Sequence, residues 1–318
     1  MIAGIHHIGL VVPSLDAAAA FYGAAFGFRE RRRCPLADGE AERALLGLVR
    51  VEGSAALLAG TNLHLELLAF AGAPAAAGER PPSAGGIGHF CAQGPDMGPL
   101  AARLRAAGAR LPAEPTDLGA DILYAYPRDP DGNLLEIESV PGTAERDGPW
   151  VAHVSLSTPD LDRAVRFWEA FTGARARRSP RLGPSAKIDR LTGLTGAEVS
   201  GAWLRLPNAQ LELWQYHVPA TRMPDPPRAF DAPGWSHVAF EVDDVATERA
   251  RLAGAGMRFR GEPLAGETSA VVYGEDPDGN LVELIAFRGA GRELSIDALP
   301  DPGVVSRVEA ARAGARAA

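Results

Sequence analysis

Cysteine is nearly absent from this 318-residue chain: only Cys34 and Cys91 occur. Two thiols exclude a disulfide framework and cannot by themselves build a zinc-thiolate site, so they read as buried or idle thiols of a reducing compartment. Long apolar runs are also missing. No stretch approaches the roughly 20 residues that a membrane-spanning helix needs. The opening MIAGIHHIGLVV lacks the basic start and long apolar core of a secretory signal. The expectation is a cytoplasmic protein with no membrane partner. A basic excess is lacking as well. The net charge of −8 and pI near 5.5 argue against a nucleic-acid surface. The one dense basic run, Arg29-Glu30-Arg31-Arg32-Arg33, is broken by Glu30 and reads as a solvated strand start. No phosphate-binding glycine-rich loop follows any strand-like segment.

What is present is a soluble composition, 46% apolar and 23% charged, at a length that suits two domains. A repeat organises it. DPDGNLLEIE at 129–138 returns as DPDGNLVELI at 276–285, 147 residues later. HHIGLVVPSLDAAAAFYGAAFGF at 6–28 aligns with AHVSLSTPDLDRAVRFWEAFTGA at 152–174, and LHLELLAF at 63–70 aligns with QLELWQYH at 210–217. The chain therefore divides into modules at 1–140 and 150–288, a Pro-, Gly- and charge-rich linker at 141–149, and a tail at 289–318 outside the repeat. In the tail, Val304, Val305, Val308 and Ala311 fall at helical spacing, which fits either a short docking helix or a frayed end.

Each module is itself double. A short apolar strand with one His (GIHHIGLVV, GIGHFCA, WVAHVSLS, GWSHVAFEV) precedes a helix and then about three strand-like segments. Thr158-Pro159 reads as a helix cap followed by Pro at the first helical position, and Gly173 and Gly108 as helix stops. DPDG is a tight hairpin turn. Four such quarters predict an α+β fold rather than a doubly wound parallel sheet. The Pro-rich joins at 71–86 and 218–234 carry Arg222 and Arg228, read either as solvent-facing or as contacts to an anionic substrate.

Polar residues on these apolar strands recur in step. His7, Glu66, His89 and Glu136 in the first module match His153, Glu212, His237 and Glu283 in the second, at offsets of 146, 146, 148 and 147. A Glu among aliphatics is costly unless paired or coordinated. Two His and two Glu in matched positions of both copies point to a divalent metal: zinc, nickel, cobalt, manganese or iron(II). His6 neighbours His7 and is expected on the opposite strand face. His64 shares the face of Glu66, but its counterpart is Gln210, so it is expected as a supporting or substrate contact rather than a ligand.

The His of the first strand, the LEL Glu, the second His strand and the DPDGNxxE turn resemble the vicinal oxygen chelate superfamily. That group includes glyoxalase I, methylmalonyl-CoA epimerase, extradiol dioxygenases and bleomycin- and fosfomycin-resistance proteins. The resemblance implies tandem βαβββ units, four in all, in two cup-shaped modules, each cup closed by two units around one metal. It implies a small-molecule substrate with vicinal oxygens, an enolate or enediolate stabilised by the metal, and Glu136 and Glu283 as candidate bases. The reaction class it implies is a glyoxalase-like lyase, epimerase or isomerase, in a monomer or homodimer. An extradiol dioxygenase is the alternative, since Tyr126 through Glu136 and Val272 through Glu283 resemble the later part of that signature and make Tyr126 and Tyr273 substrate candidates. However, Glu262-Pro263-Leu264-Ala265-Gly266 stands where its acid–base His is expected. A non-catalytic binding protein of the resistance type is a third reading. Two groupings of the ligands remain open: His7 and Glu66 with His89 and Glu136 inside one module, or with His237 and Glu283 across modules.

Overall fold

The computed structural model describes residues 1–73, 78–119, 122–143 and 148–317; parts of the 141–149 linker and of the 71–86 join lie outside them. The fold is α+β. Two curled sheets of nine and eight strands share one continuous apolar core with the helices Leu15–Phe26, Met97–Ala106 and Leu161–Thr172.

The four His-bearing strands lie mid-sheet because they are apolar on both faces; Trp150–Ser157 is buried throughout. Ile2–Val11 pairs in parallel with His64–Phe70 of its own quarter and antiparallel with Gly234–Val242 of the last quarter. Gly234–Val242 in turn pairs in parallel with Leu281–Phe287. The second sheet repeats this scheme. Trp150–Ser157 lies between Gln210–Val218 and Gly86–Gly94, and the latter pairs with Glu136–Ser139. Each cup therefore combines quarters from different modules: first with fourth, and second with third.

Two buried asparagines at matched positions tie the sheets together. Asn62 donates to the carbonyls of Val151 and Asn208 and accepts from Val151 N–H, while Asn208 donates to the carbonyls of Ile5 and Asn62 and accepts from Ile5 N–H. Both side chains are fully satisfied inside the core, where an unpaired amide would be costly.

The twice-written turn has one construction. Asp129 accepts from the backbone N–H groups of Asp131 and Asn133, and Asp276 from those of Asp278 and Asn280. Gly132 and Gly279 adopt φ of 89° and 85°, which other residues resist. Two details differ from the sequence reading. Short helices Glu40–Leu46 and Ala186–Thr192 are inserted in the first and third quarters. The helix after Thr158 is capped by Asp160, whose carboxylate accepts from Arg163 N–H; the Asp beyond the Pro outcompetes Thr158 as acceptor for the free N–H groups. The tail docks: 3-10 segments Gly289–Leu294 and Ile296–Ala298 bury Leu294 and Ile296, and Val304, Val305 and Val308 of helix Val304–Ala317 pack on Val140 and Trp150. No helix among the described residues is long and apolar enough to cross a membrane.

Candidate active site

The cross-module grouping is the one the structure adopts. His7, Glu66, His237 and Glu283 converge in the first cup, and His89, Glu136, His153 and Glu212 in the second, with one ligand atom of each within 4.8 Å of the others. In the first cup the two imidazole Nε2 atoms are 2.9 Å apart, and they lie 3.3–3.6 Å from the carboxylate oxygens of Glu66 and Glu283. In the second, Glu136 Oε2 is 3.1 Å from His89 Nε2 and 2.8 Å from His153 Nε2, and Glu212 Oε2 is 3.8 and 3.2 Å from the same atoms. A cation bound at roughly 2.1 Å by nitrogen and oxygen needs neighbouring donors about 3.0–3.5 Å apart, the spacing most of these pairs show.

Hydrogen bonds around the first quartet fix its protons. Leu294 C=O can only accept, so His6 Nε2 donates to it, at 2.8 Å. Burial first, then His64 and His7, hold His6 well below the usual histidine range and therefore neutral, so its Nδ1 accepts from His7 Nδ1–H at 2.7 Å. His7 Nε2 is left facing the cluster. His237 Nδ1 donates to Ser236 Oγ at 2.9 Å. Burial disfavours charge on His237, but the hydrogen-bonding carboxylates of Glu283 and Glu66 outweigh it and push it up to about 9. Its Nε2–H therefore points at His7 Nε2, 2.9 Å away. A proton occupies the place that a cation would take, the competition expected of a metal site. In the second cup Glu212 and Glu136 likewise hold His153 well above the usual range against burial. Glu212 is drawn down to about 2 by His153 despite its burial, and its Oε2 has no hydrogen-bond partner among the described residues. A buried carboxylate oxygen aimed into a nest of His and Glu donors fits a cation better than it fits the apoprotein.

The placement of His6 corrects an expectation. The pairing of Ile2–Val11 with Gly234–Val242 slips register between Ile5 and His7. This bulge abolishes strict alternation, so His6 supports the ligand next to it instead of facing away. Gly9 has a related use: a Cβ there would come within 2.1 Å of the His237 ring, which lies across this strand.

The walls of the two cups differ. The second quartet opens on a cavity of about 280 Å³ walled by Tyr124, Tyr126, Trp203, Trp214 and Tyr216. Trp203 Nε1 donates to Glu212 Oε1 at 2.8 Å, and the Tyr126 ring lies 5.4 Å from that of His89. In the first cup, Phe230 stacks on His237 at 5.5 Å and meets Tyr273 edge-on, and Tyr273 OH donates to Glu283 at 2.6 Å. His64, buried, stacks on His6 at 4.5 Å, and Phe287 lies against His6 from another side. Burial and then the neighbouring His7 hold His64 down to about 3. At the positions matching His6, His64 and Phe287, the second cup has Ala152, Gln210 and Val140.

Arg222 and Arg228 are not brought to either quartet. Arg222 is exposed, and its carbonyl accepts from Gly85 N–H. Arg228 donates to the carbonyls of Ala232 and Pro233. Residues that sequence reasoning missed are Phe230, hidden in a Pro-rich join without periodicity, and Trp203, on a strand with no recognised motif. Glu138 was missed as well. It lines the cavity, and burial together with the charge of Glu136 pushes it up to about 7. Its signal was available: a second Glu two residues beyond Glu136, with Ile285 at the matching place.

The family follows from the comparisons. A family model described as the glyoxalase/bleomycin resistance protein/dioxygenase superfamily matches residues 4–137 and 150–284, and the chain belongs to that superfamily. A lactoylglutathione lyase of Arabidopsis thaliana is 29% identical over 217 residues, covering 66% of this chain and 70% of the relative. A lactoylglutathione lyase of Salmonella typhimurium is 27% identical over 144 residues, covering 45% of this chain and 96% of the relative. Glyoxalase I from Zea mays shares the fold with a TM-score of 0.62 at 20% identity, over 89% of this chain and 92% of that one.

Proposed function

We propose that the chain is a divalent-metal-dependent enzyme of glyoxalase type, a lyase or isomerase, with its active site in the second cup. One observation carries this reading: Glu136, His153 and Glu212, three residues of the quartet completed by His89, line an aromatic cavity large enough for a small substrate. The lactoylglutathione lyases among its relatives support it. When bound there, a divalent cation supplies a Lewis acid for a substrate with two neighbouring oxygens.

The chain's own residues divide the remaining work. Trp203 anchors Glu212 through its indole N–H. Among the described residues, Glu136 Oε2 is gripped by the two imidazoles, at 3.1 and 2.8 Å, with the weak thiol donor of Cys91 beside it. Glu136 is thus the carboxylate with freedom to leave its place and carry a proton. For the hemithioacetal of a thiol and a 2-oxoaldehyde, the C–H bond beside the ketone breaks and Glu136 holds that proton. It returns the proton to the former ketone carbon, while the hydroxyl proton passes to the former ketone oxygen. The product is the thioester of a 2-hydroxy acid, an isomer of the substrate, so no oxidant is consumed. Tyr126, Trp214 and Tyr216 exclude water from the reacting carbons. In the first cup, Glu283 is tied to Tyr273, on whose ring Phe230 packs edge-on, and we assign that quartet to holding the fold through its cation.

Elemental analysis of the wild type and of Glu66→Ala and Glu212→Ala, with thioester absorbance as the activity readout, tests this. Each substitution should remove one metal equivalent, and only Glu212→Ala should abolish turnover. A protein with no affinity for any divalent metal overturns the reading. Iron retained after both substitutions favours the dioxygenase.

A further inference from the structure

The Pro-rich joins bring together two arginines that the chemistry above leaves without a task. Arg80 and Arg228 stand at matched positions of the repeat: Arg80 precedes His89 by nine residues, as Arg228 precedes His237. Both are half-buried, and each is anchored in the same way at the end of its own join. Arg80 Nη2 donates to the carbonyl of Gly85, and Arg228 Nη2 to the carbonyls of Ala232 and of Pro233, the counterpart of Gly85. The two side chains meet at the seam between the modules. There both line each of two small clefts, of about 20 and 70 Å³, together with the matched pair Ile87 and Trp235. Asn133 of the first DPDGN turn lines one cleft, and Asn280 of the second lines the other.

Neither guanidinium has a carboxylate partner among the described residues, and the carbonyls engage only Nη2 of each. The Nε and Nη1 donors of both stay available to a ligand. Asp278, the carboxylate that lines the larger cleft, is taken by Arg163. Burial, and after it the charge of Arg228, push Arg80 down to about 10, and burial pushes Arg228 down as well. Two like charges held together in a partly desolvated cleft repel. An anion between them replaces that repulsion with two charge-assisted contacts. The clefts fall far below the roughly 300 Å³ of a pocket for a drug-sized ligand, so the occupant that fits is a single small anion.

We infer that Arg80 and Arg228 form a binding site for one small tetrahedral dianion, phosphate or sulfate, which bridges the two Pro-rich joins across the module seam. Each join runs directly into a strand that carries a quartet His, and the second join also carries Phe230, which stacks on His237. A bound dianion therefore clamps the joins and stabilises the fold, whichever cup turns over substrate.

The test titrates the metal-loaded full chain with sulfate and, separately, with phosphate, at an ionic strength held constant by sodium chloride. Calorimetry reads the stoichiometry and affinity, and a thermal scan reads the melting temperature. One dianion per chain should bind saturably, and a concentration 100-fold above Kd should raise the melting temperature by about 5 °C. The tighter binder of the two identifies the occupant. Arg80→Gln and Arg228→Gln should each weaken binding by at least about 10-fold, the weight of a charge-assisted hydrogen bond. The double variant should lose binding with its metal content unchanged. Absence of a saturable site in the wild type overturns the inference, as does binding that survives in the double variant, which places the dianion on the metal. A variant that melts lower yet binds the dianion as tightly as the wild type makes the arginines clasps for their carbonyls only, and overturns it too. Arg80→Lys keeps the charge without the planar fork and serves where a Gln variant does not fold; it should bind several-fold more weakly, and unchanged affinity overturns the site.

Discussion

The two cups carry the same four ligand types from matching strands, yet their walls differ: Glu136, His153 and Glu212 line an aromatic cavity of about 280 Å³, whereas His237 of the first quartet is flanked by Phe230 and Tyr273. In the first, Phe230 and Tyr273 pack on His237, and His6, backed by His64 and Phe287, packs on His7. In the second, Ala152, Gln210 and Val140 take the places of His6, His64 and Phe287; Gln210 lines the cavity, while Val140 packs with Trp150 against the C-terminal helix. Duplicating a ligand set does not duplicate a site. Ligands fix where a cation can sit, and the neighbouring side chains decide whether anything else can reach it.

The largest expected difference between the cups is in turnover. Glu136→Gln should lower kcat by roughly 1,000-fold, within the range for loss of a general base, and the effect of Glu283→Gln should be at least about a hundred times smaller. Comparable losses in thioester formation would mean that the first cup also turns over substrate. Next in size is packing. Phe230→Ala should cost about 3 kcal/mol, measured by denaturant unfolding, because it leaves a void over His237. A neutral result would show that the ring is a movable lid rather than part of the core. A smaller effect concerns His6. Replacing it by Ala removes the acceptor that orients His7, and should weaken metal binding at the first cup by about 10- to 100-fold in competitive chelator titrations, with the second cup unaffected.

The smallest is a pH dependence confined to the metal-free state. His237 is raised in the fold from about 6.5 to about 9. Its stabilising contribution is therefore complete below pH 6.5 and is lost as pH rises through 9. The melting temperature of chelator-treated protein should fall across that window. Metal-loaded protein should lack this slope, and affinity for the metal should rise with pH as the competing proton leaves. An identical pH profile with and without metal would remove the proton from the centre of the first quartet.

Much of this molecule was legible in one dimension. The repeat offsets of 146–148 residues picked out all eight residues of the quartets, because a Glu or His on a strand buried on both faces stands out against its aliphatic neighbours. The helix stops at Gly173 and the hairpins after DPDG were visible for a similar reason: positive φ leaves few choices of residue. The departures have local causes. A bulge turned His6 toward His7, and Asp160 displaced Thr158 as the cap.

The sequence by itself determined which residues can hold a cation, because strand periodicity and repeat spacing are local properties of the chain. Only the tertiary structure decided how they are grouped and what walls each group. The edges that join Ile2–Val11 to Gly234–Val242, and Gly86–Gly94 to Trp150–Ser157, are chosen by core packing and by the paired clasp of Asn62 and Asn208. Backbone ladders between apolar strands are chemically alike, so no local signal names the partner. What walls a cup depends on side chains that arrive from distant loops and the tail, such as Phe230 on His237 and the helix that pins Trp150.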